Sequence, residues 1–154
     1  IGTTILDGIR ENIGNQSSVS FSKNGDEPND HDIIIAVVGE TPYAEMKGDS
    51  ESLELSNKDK LLLERLIKTG KPIVLILISG RPMIITPYLE HVDAVLAAWL
   101  PGTEGSGVAD LLFGDVSPTA KLSFSWPRDM SQIPINYGDK TYDPLFPLGY
   151  GLTY

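Results

Sequence analysis

Apolar residues fall into two kinds of run along this chain. In the first kind they recur at helical spacing. Ile5, Ile9 and Ile13 lie four apart, so Thr3 to Ile13 reads as a helix, with Thr3 or Thr4 as its cap and Gly14-Asn15 as its stop. Leu61, Leu62, Leu66 and Ile67 form a stripe on a second helix from Asn57 to Thr69, ended by Gly70. A third helix is expected from about Gly105 to Phe113. The second kind is continuous: Ile33 to Val38, a β-branched run, then Pro72 to Ile78 and Asp93 to Trp99. Runs of this type are expected of strands covered on both faces. Weaker strand signals come from Val19 to Ser22, from Met83 to Ile85 and from the alternating Leu122 to Trp126, an expected edge strand closed by Pro127. Tyr88-Leu89 reads as a helical turn, and Pro127 to Tyr154 is rich in Pro, Gly and Tyr with little periodicity. Apolar strands alternating with helices predict an α/β fold, a mostly parallel sheet with helices on both faces.

Composition narrows the class of partner. A chain of 154 residues fits one domain with an ordinary core. Its 21 acidic and 12 basic residues give a net charge of −9. That argues against nucleic acid and anionic membrane surfaces, both of which need basic clusters, and it suits a neutral ligand. There is no Cys, which excludes disulfides and thiolate metal sites. No apolar run is long enough to cross a bilayer, and no signal-peptide pattern is present. The chain opens at Ile1 directly into a helical pattern and is expected to be cut from a longer polypeptide, whose export signal could lie elsewhere.

In parallel α/β sheets the functional loops follow the C-terminal ends of the strands. Three loops qualify: Glu40 to Asp49, Gly80 to Pro82 and Leu100 to Gly105. The third sets a single carboxylate, Glu104, among Pro101, Gly102, Thr103 and Gly105. Spacing alone leaves two readings, a catalytic carboxylate or a helix-start acid favoured by the helix dipole. Glu40, Glu45 and Asp49 are either ligand-binding acids or a solvated loop, and Arg81 either meets substrate or pairs with one of them. His31 and His91 lack metal-ligand spacing. Trp99 and Trp126 read as core or loop anchors ahead of sugar platforms. Gly102, Gly105 and Gly107 do not keep the order of a dinucleotide fingerprint, no Lys-Ser/Thr follows them, and no Gly-x-Ser-x-Gly elbow occurs.

Several segments in order carry a resemblance. They are Ile1-Gly2-Thr3-Thr4-Ile5; Val38-Gly39-Glu40-Thr41-Pro42-Tyr43-Ala44-Glu45 with Lys47-Gly48-Asp49; Ile78-Ser79-Gly80-Arg81-Pro82; Ala97 through Gly105; Leu112-Phe113-Gly114-Asp115; and Pro147 through Tyr154. Together they resemble the second, α/β-sandwich domain of family-3 glycoside hydrolases, the exo-acting β-glucosidases and β-glucan exohydrolases, and most of all the two-domain β-glucan exohydrolase branch. The resemblance implies a three-layer sandwich whose mostly parallel sheet has six strands with helices on both faces, and it makes residues 1–154 a single C-terminal domain. It implies that an N-terminal barrel domain, absent here, supplies an Asp nucleophile, while Glu104 takes the position of the general acid/base. It also implies β-linked glucosides or gluco-oligosaccharides as substrates, no metal or organic cofactor, and a secreted or periplasmic setting. Glu40, Glu45, Asp49 and Arg81 match motifs near the active site and are candidate substrate-binding residues without assigned contacts.

Retaining hydrolysis needs two carboxyl groups about 5–5.5 Å apart, one to attack the anomeric carbon and one to protonate the leaving oxygen. The acid must hold its proton when substrate binds, which an apolar wall or a neighbouring charge favours. A chain bearing the acid but not the nucleophile is expected to be inactive alone. The alternative from another class is a non-catalytic α/β module that binds a carbohydrate or a protein and uses Glu104 only to start a helix. Flavodoxin-like nucleotide binding is a distant third.

Overall fold

The computed structural model describes residues 2–15, 17–26, 30–44 and 46–154. The three unbroken apolar runs form the strands β1 (Ile34–Gly39), β2 (Ile73–Ile78) and β3 (Ala94–Trp99). They make one sheet in the order β1-β2-β3, and both pairings are parallel. The helices are α1 (Ile5–Asn12), α2 (Asn57–Ile67) and α3 (Gly105–Phe113). A 3₁₀ helix over Thr86–His91 takes the place of the expected turn at Tyr88.

Local chemistry accounts for the helix starts. The Thr4 hydroxyl accepts the Asp7 N–H at 3.1 Å, and the Asp7 carboxylate accepts the Thr4 N–H at 3.3 Å, a reciprocal capping box. Ser56 caps α2 by accepting the Asp59 N–H at 3.1 Å. Leu63 and Leu66 of α2 join Ala36, Val38, Leu75 and Leu77 in one buried cluster. These strand positions alternate, so they line a single face of the sheet. Trp126 closes the same cluster, with its indole N–H donating to the Met83 carbonyl at 2.9 Å. The other two helices, α1 and α3, pack against each other.

Three expected strands do not form as drawn. Val19 to Ser22 makes no ladder, and Phe21 is 62% exposed, because no neighbouring strand among the described residues offers it a partner. Met83 to Ile85 reduces to one parallel bridge between Glu54 and Ile84, since Pro82 and Pro87 bracket a segment too short for more. Leu122 to Trp126 pairs with the chain's own tail and not with the sheet. Leu122 exchanges backbone bonds with Gly149 and Tyr150, and Trp126 with Leu145 and Phe146. Pro144 and Pro147 in that tail have no N–H, so the contacts cannot extend into a continuous ladder. The described sheet therefore holds three strands.

Two carboxylates tie this fold to pH. Hydrogen bonds from the Thr4 side chain and backbone hold Asp7 below the ordinary carboxylate range, and those from Ser131 do the same for Asp129. A depressed folded-state value contributes stability above the ordinary carboxylate range that is lost as pH falls through the depressed value. The thermal midpoint should therefore decline on acidification, and Asp7→Asn should flatten that decline. Parallel curves for the two proteins, measured by circular dichroism, would contradict the assignment.

Candidate active site

Because the three parallel strands are consecutive neighbours, the loops that leave their C-terminal ends lie side by side. The first two meet at the Glu40 carboxylate. Gly39 allows this, since a Cβ there would fall 1.8 Å from the Ile78 carbonyl oxygen. The Glu40 N–H donates to that same carbonyl at 2.9 Å. The Glu40 Oε1 atom then accepts from Arg81, at 2.8 Å from Nε and 2.7 Å from Nη2. Its Oε2 accepts from the Gly80 N–H and the Tyr43 hydroxyl, each at 3.2 Å. The Arg81 guanidinium also lies 5.0 Å from the centre of the Tyr43 ring. Of the two sequence readings of Arg81, the pairing one is what the structure contains, and Glu40 is its partner.

The second and third loops meet at Trp99. The N–H of buried Ser79 donates to the Trp99 carbonyl at 3.1 Å. The register between β2 and β3 slips at this point, passing from Leu77–Ala97 to Ile78–Trp99. Trp99 has φ of 54°, a left-handed backbone that costs a bulky residue about 1–3 kcal/mol unless its surroundings impose it. Aromatic packing supplies the constraint: the Trp99 ring lies 5.3 Å from Phe124, edge-on, and 5.8 Å from Trp126. Both tryptophans thus serve as anchors, and Trp126 is only 2% exposed. A bulge and a left-handed residue together turn the chain sharply out of β3 into Leu100–Gly105.

The far end of that loop is pinned to the start of the chain. The Thr3 N–H donates to the Thr103 carbonyl, and the Gly105 N–H donates to the Thr3 carbonyl, each at 2.9 Å. Glu104 sits between these bonds, and its own N–H donates to the Pro101 carbonyl at 3.0 Å. A Cβ on Gly105 would come within 2.1 Å of the Thr4 backbone, so only glycine permits the approach. Glu104 occupies the position just before α3, yet its side chain makes no capping bond. The carboxylate is exposed and takes part in no hydrogen bond or ion pair among the described residues. Its backbone is fixed and its side chain is free.

The other candidates fall out differently. Asp49 is exposed and makes no hydrogen bond or ion pair among the described residues. Glu45 lies outside the described residues. Sequence reasoning missed the roles of Ser79, Tyr43 and Gly105, although a glycine following directly on the carboxylate was a signal for close approach. Large apolar side chains stand open at this same edge: Tyr43 is 45% exposed and Leu100 72%, and both lie within contact distance of a Cβ placed on Gly80.

Comparison with known proteins adds to this geometry. The whole chain, residues 1–154, matches the family described as the glycosyl hydrolase family 3 C-terminal domain. It is 37% identical to a lysosomal beta glucosidase of Dictyostelium discoideum, over 99% of this chain and 22% of that protein. It is 34% identical to a beta-xylosidase of Formosa agariphila, over 98% of this chain and 25% of that protein. Among solved structures, an exo-1,3/1,4-beta-glucanase from a Pseudoalteromonas species superposes with a TM-score of 0.90 at 41% identity, covering 99% of this chain and 20% of that one. A beta-glucosidase from Listeria innocua in complex with glucose gives 0.84 at 27% identity, covering 99% and 26%. The chain thus spans a quarter or less of the length of these two curated relatives.

The pinned loop generates a direct test. Gly105→Ala should lower stability by about 1–3 kcal/mol, as overpacking against backbone does. Gly107→Ala, where an added Cβ meets nothing within 4 Å, should be neutral or stabilising. Equal thermal midpoints for the two variants would contradict the close approach.

Proposed function

The chain belongs to the glycosyl hydrolase family 3 C-terminal domain family, and from that footing we propose that it forms part of a retaining, exo-acting β-glucosidase or β-glucan exohydrolase in which Glu104 is the general acid/base. The observation that carries this reading is the state of Glu104: an exposed, unpaired carboxylate on a backbone fixed at both ends of its loop, at the C-terminal edge of a parallel sheet. A helix-start acid with only a structural task would be expected to cap its helix or join an ion pair, and among the described residues Glu104 does neither.

The complete site needs a second carboxylate. In this reading an Asp on an N-terminal barrel domain, outside these 154 residues, attacks the anomeric carbon of the bound sugar. Glu104 gives its proton to the departing glycosidic oxygen, and the C–O bond to the leaving group breaks. A covalent glycosyl-enzyme results. Glu104, now a carboxylate, takes a proton from the incoming water, whose oxygen displaces the nucleophile and releases the sugar. No step calls for a metal or an organic cofactor.

Substrates in this reading are β-linked glucosides and gluco-oligosaccharides. The strongly acidic chain suits a neutral sugar, and a relative at 41% identity is a β-glucanase. Residues 1–154 lie within one C-terminal domain, and the exposed Tyr43 and Leu100 belong to the surface that meets the barrel. A six-stranded, three-layer sandwich would need strands from outside these residues to extend the described three-stranded sheet. Val37 on β1 is 43% exposed while its cross-strand neighbour Ile76 is fully covered, which fits further structure beside β1.

The test replaces Glu104 with Gln in the complete polypeptide. Proton donation by such a group contributes typically about 10²–10⁴-fold, so alkyl β-glucosides should lose activity by that order. Dinitrophenyl β-glucoside, whose leaving group needs no proton, should form the glycosyl-enzyme normally and then stall. Azide, which attacks without base assistance, should restore its turnover. Equal losses for both substrates with no azide effect would remove Glu104 from the acid/base role.

A further inference from the structure

Resting on that reading of Glu104, the geometry assigns Arg81 and Glu40 a further role, as a pair of positioning residues that hold the acid/base loop in register with the sheet. Neither side chain is free for substrate chemistry in the way a solvated acid or base would be. The Glu40 carboxylate collects two donors from Arg81 on one oxygen, and Tyr43 and Gly80 on the other. The Glu40 and Arg81 side chains are only 12% and 26% exposed. Glu40 is therefore not a spare catalytic carboxylate, and the pair must act through what it holds.

What it holds can be followed bond by bond. The carboxylate grips both the guanidinium of Arg81 and the backbone N–H of Gly80, which fixes the turn after β2 from both sides. The hydroxyl of Ser79 closes the same turn by donating to the Arg81 carbonyl at 2.8 Å. The N–H of Ser79 then donates to the carbonyl of Trp99 at 3.1 Å. Trp99 is the left-handed residue that turns the chain out of β3, and the loop it begins is pinned at its other end by Thr3. The acid/base loop is thus tethered at two points, and the Glu40–Arg81 pair governs one of them. The Trp99 ring has its own anchors in Phe124 and Trp126. Loss of the pair should therefore shift the loop and leave the fold standing.

Such a shift matters because a general acid must lie within about 2.6–3.2 Å of the oxygen it protonates. A displacement of about 1 Å can cost about 100-fold in rate. The signature separates positioning from general damage, since with azide in place of the base-assisted water only substrates that need the proton on their leaving group should suffer.

The experiment compares Arg81→Met with the parent in the complete polypeptide. Met keeps much of the volume and removes the fork. With azide present to bypass the base step, the expected result is a fall of about 10–100-fold in kcat for an alkyl β-glucoside, with KM little changed and with dinitrophenyl β-glucoside kept within about threefold. Arg81→Lys should recover only part of the loss, because one ammonium cannot donate from two fixed nitrogens to a single carboxylate oxygen. Glu40→Gln, which keeps the shape and removes the charge, should reproduce the selective loss and provides the second measurement if Arg81→Met folds poorly. On a Glu104→Gln background, Arg81→Met should add nothing for the alkyl glucoside. Equal losses for the two substrates in Arg81→Met and Glu40→Gln, or full additivity with Glu104→Gln, would overturn the positioning role. If Glu104→Gln itself shows no dependence on leaving group, the acid/base reading fails instead, so the two failures are distinguishable.

Discussion

The backbone bridge between Thr3 and the segment Thr103–Gly105 is the constraint on which the candidate site depends. Two hydrogen bonds of 2.9 Å join residues about a hundred positions apart. They form only because Gly105 lets the Thr4 backbone come within 2.1 Å of where a Cβ would stand. The same contact sets α1 against α3 and the start of α3 at the edge of the sheet. A carboxylate placed at the centre of this bridge has a fixed Cα and an unrestrained side chain. That combination suits a group that must meet a substrate held mainly by another part of the protein, since the backbone sets the aim and the final geometry comes with the partner.

The second constraint runs across the sheet edge. Parallel neighbours in the order β1-β2-β3 bring three strand-end loops together, and polar bonds then fasten each to the next. Glu40 and Arg81 join the first to the second, and Ser79 and Trp99 join the second to the third. A left-handed tryptophan is tolerated because its ring is packed against Phe124 and Trp126. The strain and its compensation lie at the residue where the chain leaves the sheet for the Leu100–Gly105 loop.

Much of this was legible in the residues themselves. Continuous apolar runs produced the three strands, although the two-sided burial expected of them is approached only in β2: Val37 of β1 is 43% exposed and β3 buries no residue fully. Thr4, one of the two expected caps, began a helix where its hydroxyl could take an N–H from the first turn. The weaker strands were misjudged for a common reason. Alternation at Val19–Ser22 and Leu122–Trp126 describes a segment that can pair, but pairing depends on a neighbour that local pattern does not contain. The site divided in the same way. Glu104 stood out as a lone carboxylate in a Gly-rich bend, while the choice of Glu40 as the partner of Arg81 waited on strand order. The close approach at Gly105 is a tertiary fact, visible in the sequence only as an unexplained glycine. The family resemblance, carried by motifs in order along the chain, agrees with the match over residues 1–154.

The central claim is that Glu104 is one half of a catalytic pair whose other half lies outside these residues. Trapping the glycosyl-enzyme of the complete polypeptide with a 2-deoxy-2-fluoroglucoside and mapping the labelled peptide, followed by a structure of the trapped form, tests it most directly. The account predicts a label on a carboxylate beyond the 154 residues, with its oxygens about 5–5.5 Å from those of Glu104. A label on a carboxylate within this chain, or a separation of about 10 Å or more, wider than even the inverting arrangement allows, would contradict it.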